Sequence, residues 1–522
     1  MELTRRETQP GPVKRAKRKQ RPQYSCSSCS RRKVKCDRVK PCHACCMRGT
    51  PSECDYPTGE KDRHYVEQSA VIASLRRSCD SLKQQLNKTQ NAATAGLLSS
   101  ATTASFPFPG LSNDRHSSVT SPMSPSKAFS EIFIQRFIDD FSLQTATNNV
   151  GFVAFRRGAE MRAFSPFLCR AFDAASLIFI GRREGNYSID ACGQRKYVKV
   201  LKELQDSLNS PEQRTSSETL IVVVLFTVIE AYKGSSKDAM LRHQLGALQL
   251  LQTRTPYRHR YGIGRSLFVD LRLYWVSAAV VIRMPTFLAS SEWRTVPWPA
   301  DGPPKDILHQ LLDIMVEIPG YLYEVDRMME LLHASSVSSS TLMASQTTLS
   351  ERACELDRRL LRWKSVCADT YPLGSWWEEK AYSNKDRGNN FPVFQCKDLT
   401  TMSVITPSQL VYPDVFLLTS MLYYWAARLV LSQQDPSLVE VIGVQERYII
   451  ACNICRSLES YIQTVPGGLL SRLMFILRVV YDTFPEGTIE KQYVSQVFSY
   501  ITNEYRSTIF ARQCSELAVN SK

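Results

Sequence analysis

The chain has 522 residues, 43% of them hydrophobic and 22% charged, which is close to ordinary globular usage and allows a sizeable core in two or three domains. The formal net charge is +15, and residues 1–64 alone hold 17 Lys and Arg against 7 Asp and Glu. A basic end on a nearly neutral body is typical of a nucleic-acid-binding protein. If charge were the only evidence, a solvated basic tail would be the alternative.

Membrane and secreted classes are excluded by two further features. The most apolar run, residues 220–229, is shorter than a membrane-spanning helix and is followed by Glu230. We therefore expect a buried core helix there and no membrane partner. The polar N-terminus lacks the apolar segment of a secretory signal, so we expect an intracellular protein, in which clustered cysteines bind metal more often than they form disulfides.

The first 25 residues are predicted to be a disordered basic arm. Residues 14–21 contain six Lys and Arg, and we predict a nuclear localisation signal there. Contact with a DNA backbone and a solvated arm without a specific role are the alternatives.

Six cysteines in the second region, residues 26–56, have the spacing of a metal site. The pattern is Cys26-x2-Cys29-x6-Cys36-x5-Cys42-x2-Cys45-x8-Cys54. A two-residue gap lets both thiolates of a pair face one tetrahedral zinc ion. Six thiolates fill the coordination positions of two ions only if two of them bridge both, so we predict two Zn2+ ions per chain. Cys46 leaves the choice of ligands slightly open, and neither it nor His43 is assigned to the site.

This pattern, with Pro41 before the fourth cysteine and Tyr56-Pro57 after the sixth, resembles the fungal zinc binuclear cluster family of transcription factors. The resemblance covers about 30 residues, too few to fold without the roughly 10 kcal/mol or more that structural zinc supplies. It implies that Cys26 and Cys42 bridge the two ions. Cys29 and Cys36 would complete the ligands of one ion, and Cys45 and Cys54 those of the other.

Four cations lie between the second and third cysteines. We expect a short helix over residues 30–35, and a helix fits the major groove, where Arg and Lys donate to guanine. The resemblance implies that the C-terminal end of this helix lies against a CGG-like triplet of double-stranded DNA. Arg32 and Lys33 are then the base contacts, and Arg31 and Lys35 are phosphate contacts. The family more often has Lys at the position of Arg32, which leaves the preferred triplet open.

Residues 65–89 are predicted to form a short coiled-coil helix that makes a homodimer. Their heptad places these residues at positions a and d: Tyr65, Gln68, Ile72, Leu75, Cys79, Leu82, Leu86 and Thr89. A single amphipathic helix that rests on the rest of the protein is the alternative. Residues 90–127 are rich in Ala, Ser, Thr and Pro and are predicted to be a disordered linker.

From residue 128 to 522, apolar residues recur at helical spacing, which predicts one large all-α domain with a Ser/Thr-rich loop over residues 335–349. Residues 128–300 resemble the helical regulatory domain that often follows fungal zinc clusters, and the resemblance is carried by residues 197–208, 243–251 and 287–293. Within it, Gly246 and Ala247 are expected to allow a close approach of helices, and His243 to be a packed histidine.

The start of this domain has two interpretations. Residues 129–141, FSEIFIQRFIDDF, suit either an activation segment or a first helix with Phe129, Phe133 and Phe137 on one face. We favour the helix. No H-E-x-x-H, P-loop or nucleophile elbow occurs in the chain, so we predict that it is not an enzyme. Cys452 and Cys455 are expected to be core cysteines.

The predicted fold is a small two-zinc, six-cysteine cluster with two short helices, followed by a coiled-coil helix, a disordered linker and a large all-α regulatory domain. The predicted function is sequence-specific regulation of RNA polymerase II transcription in the nucleus, with transcriptional machinery or co-regulators as partners. We expect a pathway-specific activator, for example of a secondary-metabolite gene cluster. The alternatives are a repressor, or a small-molecule-sensing or enzymatic helical domain that the zinc module targets to DNA.

Overall fold

The computed structural model describes residues 25–36, 42–50, 53–54, 125–142, 153–234, 239–333, 339–380, 390–433, 441–507 and 510–511. The chain divides into two compact units, Met1–Ser121 and Pro122–Lys522. The predicted localisation signal at 14–21 and the heptad segment at 65–89 lie outside the described residues, as does nearly all of the predicted linker.

The first unit contains two short helices, α1 (Ser27–Arg32) and α2 (His43–Met47). Helix α1 begins three residues earlier than predicted because the Cys26 sulfur caps it, accepting a hydrogen bond from the backbone N–H of Cys29 at 3.3 Å. It ends at Arg32 because Lys33 adopts a left-handed conformation with φ 54°. The prediction of a helix over residues 30–35 is therefore wrong in its bounds, and Lys33 and Lys35 follow the helix.

The second unit is built mainly from helices. In chain order they are α3 (Pro125–Asp140), α4 (Val153–Glu160), α5 (Pro166–Glu184), α6 (Tyr187–Asn209), α7 (Pro211–Arg214), α8 (Ser217–Lys233), α9 (Ala239–Arg254), α10 (Gly262–Ile282), α11 (Ser291–Thr295), α12 (Ile307–Met315), α13 (Ile318–His333), α14 (Ser339–Trp363), α15 (Val415–Ser432), α16 (Val444–Thr464), α17 (Leu473–Thr483) and α18 (Ile489–Tyr505). Short 3-10 turns span Met161–Ala163, Pro256–His259, Phe287–Ala289 and Gly467–Arg472, and a π-type turn spans Lys364–Ala368.

Two pairs of very short antiparallel strands interrupt the helical pattern. Strand β1 (Trp377–Glu379) pairs with β4 (Gln409–Val411), with Trp377 opposite Val411. Strand β2 (Cys396–Lys397) pairs with β3 (Val404–Ile405), with Cys396 opposite Ile405. The second unit is thus predominantly rather than purely helical.

In the first helix of the second unit, the predicted face packs on the core at Phe133 and Phe137 but not at Phe129. In α3 and just after it, Ile134, Phe137 and Phe141 are buried, whereas Phe129 is 60% exposed. Phe137 lies within aromatic contact distance of Phe141 at 4.9 Å between ring centroids. The segment is a core helix, and its apolar stripe follows the spacing of 134, 137 and 141.

Helices α5 and α6 form a tight antiparallel pair through two glycines. A side-chain carbon at Gly181 would lie 2.4 Å from the backbone nitrogen of Asp190, and one at Gly193 would lie 2.7 Å from that of Ile178. These helices therefore approach more closely than any side chain would permit.

Helix α15 lies at the centre of the core. It is long and apolar enough to cross a membrane, but 94% of it is buried inside the protein, as expected for a central helix. Residues 220–226 of α8 are also buried, in agreement with the predicted core helix.

The predicted Ser/Thr-rich loop is helical from residue 339 onwards. Thr347 and Thr348 donate their hydroxyls to the carbonyls of Met343 and Ala344 one turn earlier, at 2.9 and 3.0 Å. Leu349 is 5% exposed and anchors this part of α14 in the core. The prediction was wrong there because composition alone does not reveal such tertiary anchoring.

Candidate metal centre and nucleic-acid interface

The six predicted cysteines come together in the first unit. Their sulfurs form two groups of four, with all atoms of a group within 4.8 Å of one another. One group contains Cys26, Cys29, Cys36 and Cys42, and the other contains Cys26, Cys42, Cys45 and Cys54. The two cysteines shared between the groups are the two that the family resemblance implies as bridges.

The separations between sulfurs suit tetrahedral zinc. The Sγ atoms of Cys26 and Cys42 are 3.7 Å apart, those of Cys26 and Cys45 are 3.6 Å apart, and those of Cys29 and Cys42 are 3.5 Å apart. With Zn–S bonds of about 2.3 Å, the edge of a tetrahedron of sulfurs is about 3.8 Å. Six converging thiols with two shared corners therefore fit a pair of zinc ions.

Helix α1 and the segment before α2 position these sulfurs through the backbone. Besides the cap on α1, the N–H of Cys42 donates to the sulfur of Cys54 at 3.1 Å. This hydrogen bond links Cys42, the first residue of the second C-x2-C pair, to the last cysteine of the pattern. Hydrogen bonds of this kind orient metal ligands and adjust their basicity.

The thiols differ in acidity because they are packed together. Burial raises the pKa of Cys29 to about 12 and raises the pKa values of Cys42 and Cys54. Burial acts in the same direction on Cys26, but the N–H of Cys29 and the neighbouring thiols outweigh it and lower the pKa to about 6. Zinc, which binds thiolates, must therefore displace protons from Cys29, Cys42 and Cys54.

The four predicted DNA-contacting cations are all exposed. Arg31 and Arg32 end α1, and Lys33 and Lys35 follow it. The Arg32 guanidinium lies 4.0 Å from the Glu53 carboxylate. The spacing of the cysteines did not predict this pairing, since Glu53 lies far along the chain, in the second half of the pattern.

The structure shows how His243 and Gly246 of the second unit, both singled out from the sequence, are packed. The His243 ring packs edge-on against Phe226 at 5.8 Å, and burial lowers its pKa. A side-chain carbon at Gly246 would meet nothing within 4 Å, so the expected close helix approach at this glycine is wrong.

Cys452 and Cys455 are buried, as predicted. The sequence analysis missed Cys396, which shares a thiol hydrogen bond with Cys452 although 56 positions separate them. Only the fold brings these two cysteines together.

Similar proteins were identified for both parts of the chain. Residues 24–63 match the fungal Zn(2)-Cys(6) binuclear cluster domain, which binds two zinc ions. Residues 113–500 match the fungal specific transcription factor domain. No solved structure matches significantly.

Three curated relatives share shorter segments. An uncharacterized protein of Emericella nidulans is 28% identical over 141 residues, which are 27% of this chain and 30% of that protein. The pyrrolocin cluster transcription factor fsdR of Fungal sp. (strain NRRL 50135) is 31% identical over 81 residues, 15% of this chain and 10% of its own. The Zn(2)-C6 fungal-type transcription factor pigI of Monascus ruber is 46% identical over 41 residues, 8% of this chain and 5% of its own.

The matched segments span less than a third of each relative. The match to the regulatory domain, in contrast, covers well over half of this chain. Together with the six converging cysteines, it shows that the chain belongs to the fungal specific transcription factor family and carries a Zn(2)-Cys(6) DNA-binding domain at its N-terminal end.

Proposed function

We propose that the chain is a sequence-specific nuclear regulator of RNA polymerase II transcription that reads CGG-like half-sites. The observation that supports this most is the pair of four-cysteine groups that share Cys26 and Cys42. With zinc bound by all six cysteines, the module buries five of the six and keeps Arg31, Arg32, Lys33 and Lys35 on its surface. A compact, exposed cluster of cations on a rigid support is what major-groove recognition requires.

The base contacts in this proposal are Arg32 and Lys33, at the end of α1. Lys33 lies beyond the last helical turn, in a left-handed conformation that ends the helix. Glu53 competes with DNA for the Arg32 guanidinium. Because this ion pair is exposed and 4.0 Å long, it is weak, and a guanine can replace the Glu53 carboxylate as the partner of Arg32. Arg31 and Lys35 are assigned to phosphates, which fix the register but carry no sequence information.

The domain limits of the proposal are residues 26–56 for the DNA-binding module and 128–522 for the regulatory domain. Helix α3 begins at Pro125, three residues before that second limit. Residues 65–89 would join two chains as a homodimer and thereby bind two half-sites. Residues 14–21 would direct the chain to the nucleus.

The regulated genes in this proposal are those of a pathway, and the regulation is activation. One relative is named as the transcription factor of the pyrrolocin cluster, which supports a secondary-metabolite gene cluster as the target. The helical domain would act by recruiting transcriptional machinery or co-regulators, rather than by catalysis.

Selection of DNA from a random pool with the full chain tests the DNA-reading proposal. With zinc present, the bound pool should be enriched in pairs of CGG-like triplets, and chelation of zinc should abolish the enrichment. Cys46→Ala is the control, since this cysteine belongs to neither four-sulfur group and should leave the enrichment unchanged. Equal recovery of all sequences in the presence of zinc would refute sequence-specific binding.

A fusion tests the regulatory proposal separately. Residues 128–522 joined to an unrelated DNA-binding domain should raise transcription of a reporter that carries that domain's site. Reduced transcription would replace activation by repression, and no change would refute an autonomous regulatory domain.

A further inference from the structure

An apolar cavity lies inside the second unit. The centres of water-sized spheres can occupy about 70 Å³ of it, and one side is open to solvent. Its walls come from α8, α9 and α10, from the Gly467–Arg472 turn and from the end of the described chain, including Phe510. Since one water needs roughly 10–15 Å³ on this measure, the cavity has room for about five waters or one small organic molecule.

The shape of the cavity depends on two adjacent glycines in one wall. A side-chain carbon at Gly467 would lie 2.6 Å from the ring of Tyr505, and one at Gly468 would lie 2.8 Å from the ring of Phe141. Both rings also line the cavity. The backbone of this turn is thus held between an aromatic residue near the start of the unit and another near its end. Well-packed protein interiors contain few voids larger than a water molecule, so a cavity of this size is a distinct feature of the second unit.

The lining is mostly apolar, with several hydroxyls and one amide in it, and none of the described lining residues carries a charge. Tyr232 is 4% exposed, and no described residue forms a hydrogen bond with its hydroxyl. Burial raises the pKa of this phenol, so the hydroxyl stays protonated and can donate. Gln244, half-buried on α9, also lines the space, and its amide has no hydrogen-bond partner among the described residues.

We propose that this cavity is a binding site for a neutral, largely apolar small molecule that accepts a hydrogen bond from Tyr232 or Gln244. An anionic or cationic ligand would leave its charge unpaired in an apolar wall, which is costly. The bound molecule would touch Phe141, after the first helix of the unit, and Phe510, at its last described turn. Ligand binding would therefore stabilise the packing of the two ends of the regulatory domain against each other.

Two fluorescent probes that differ by one charge test the charge selectivity of the zinc-loaded full chain. N-phenyl-1-naphthylamine is neutral, and 8-anilinonaphthalene-1-sulfonate has the same rings with a sulfonate. The neutral probe should bind saturably with one molecule per chain, and the sulfonate should bind at least about tenfold more weakly, because its charge has no partner in the cavity. Absence of saturable binding, or equal affinity for the two probes, would overturn the proposal.

A matched pair of substitutions on α9 tests the location. Gln244→Trp places a large side chain in the cavity wall and should weaken binding of the neutral probe at least about tenfold, while Gln249→Trp on the exposed side of α9 should leave it unchanged. Thermal unfolding shows whether each variant is folded. A folded Gln244→Trp protein with unchanged affinity would place the probe elsewhere and refute the site. Should that variant not fold, the comparison of the two probes on the unaltered chain still decides the proposal.

Discussion

The two units of this protein have interiors of different kinds. In the described part of the first unit, the buried cluster consists of cysteines, with Cys36 and Ala44 packed against it. In the second unit, one continuous cluster of aliphatic and aromatic side chains runs from Ile134 in α3 to Phe510. The first interior is therefore held by sulfur–metal bonds, and the second by burial of apolar surface.

This difference shows how chain length limits the source of stability. About 30 residues bury too little apolar surface to offset the loss of chain entropy, so the small module needs metal ions. The large unit has enough apolar surface to fold without metal and can even bury charges, as with Arg272, which is 0% exposed and bonded to Asp313 at 2.6 Å. The two units should accordingly respond to different perturbations.

Removal of zinc should have the largest effect and should act on the first unit alone. Structural zinc contributes on the order of 10 kcal/mol to modules of this size, so a chelator should unfold residues 20–60 while the helical signal of the second unit persists. The fragment 20–60 should contain two zinc ions by metal analysis. Cys42→Ala should lose both ions, because this sulfur belongs to both groups, whereas Cys46→Ala should retain them. A folded Cys42→Ala fragment, or one ion per unaltered fragment, would contradict shared ligation.

Loss of a buried cation should destabilise the second unit and leave the first unchanged. Arg428 and Asp357 are 5% and 6% exposed, and their closest nitrogen and oxygen are 2.6 Å apart. Arg428→Met leaves the carboxylate buried without this partner and should lower the free energy of unfolding by about 3–5 kcal/mol, with zinc content unchanged. Denaturant unfolding of the full chain measures this change.

The control for that substitution is Arg358→Met, which breaks the exposed pair with Glu355 and should cost no more than about 1 kcal/mol. Adding Asp357→Leu to Arg428→Met should restore part of the lost stability, because the uncompensated charge is then gone. Equal effects of the two single substitutions would mean that burial of the ion pair is unimportant.

Lys33 and Lys35 of the first unit should affect DNA binding in different ways. Lys33→Ala should reduce preference for the favoured triplet by about 1–3 kcal/mol, since a base contact is lost. Lys35→Ala should weaken all sequences alike and reduce the salt dependence of the logarithm of the binding constant by about one unit, as loss of a phosphate contact does. Binding isotherms on matched and scrambled probes at several salt concentrations separate the two. Identical behaviour of both variants would refute the assignment of Lys33 to bases.

The smallest expected effect is a pH dependence confined to the second unit. His259 is fully buried with its Nδ1 2.9 Å from the carbonyl of Gly264, and burial together with the charge of Arg254 lowers its pKa to about 3. Between the ordinary histidine value and that value, only the unfolded chain takes up a proton here, so stability falls as the pH falls. From about pH 7 to pH 5.5 the unaltered protein should lose about 1 kcal/mol more stability than His259→Gln. Parallel pH profiles would rule out this coupling.

The zinc module could largely be predicted from the sequence, because its ligands are close along the chain and their spacing reflects tetrahedral geometry. The bounds of α1 could not, since the spacing does not reveal that the Cys26 sulfur caps the helix or that Lys33 ends it. The heptad prediction at 65–89 remains a prediction, outside the described residues.

In the second unit, helical periodicity predicted the class of fold but not which face of each helix is buried. Phe129 and Phe137 look equivalent in the sequence, yet one is 60% exposed and the other is fully buried. Composition likewise suggested a loop over residues 335–349, where contacts made by Leu349 and the threonine hydroxyls support a helix.

By itself, the sequence determined the zinc chemistry, the basic surface and the helical class, because each of these is encoded in residues a few positions apart. Only the tertiary structure decided which charges are buried, that Cys396 meets Cys452, and that Phe141, Tyr232 and Phe510 enclose one cavity. These contacts join residues tens to hundreds of positions apart. Their formation depends on how whole helices pack, and local patterns carry no information about that packing.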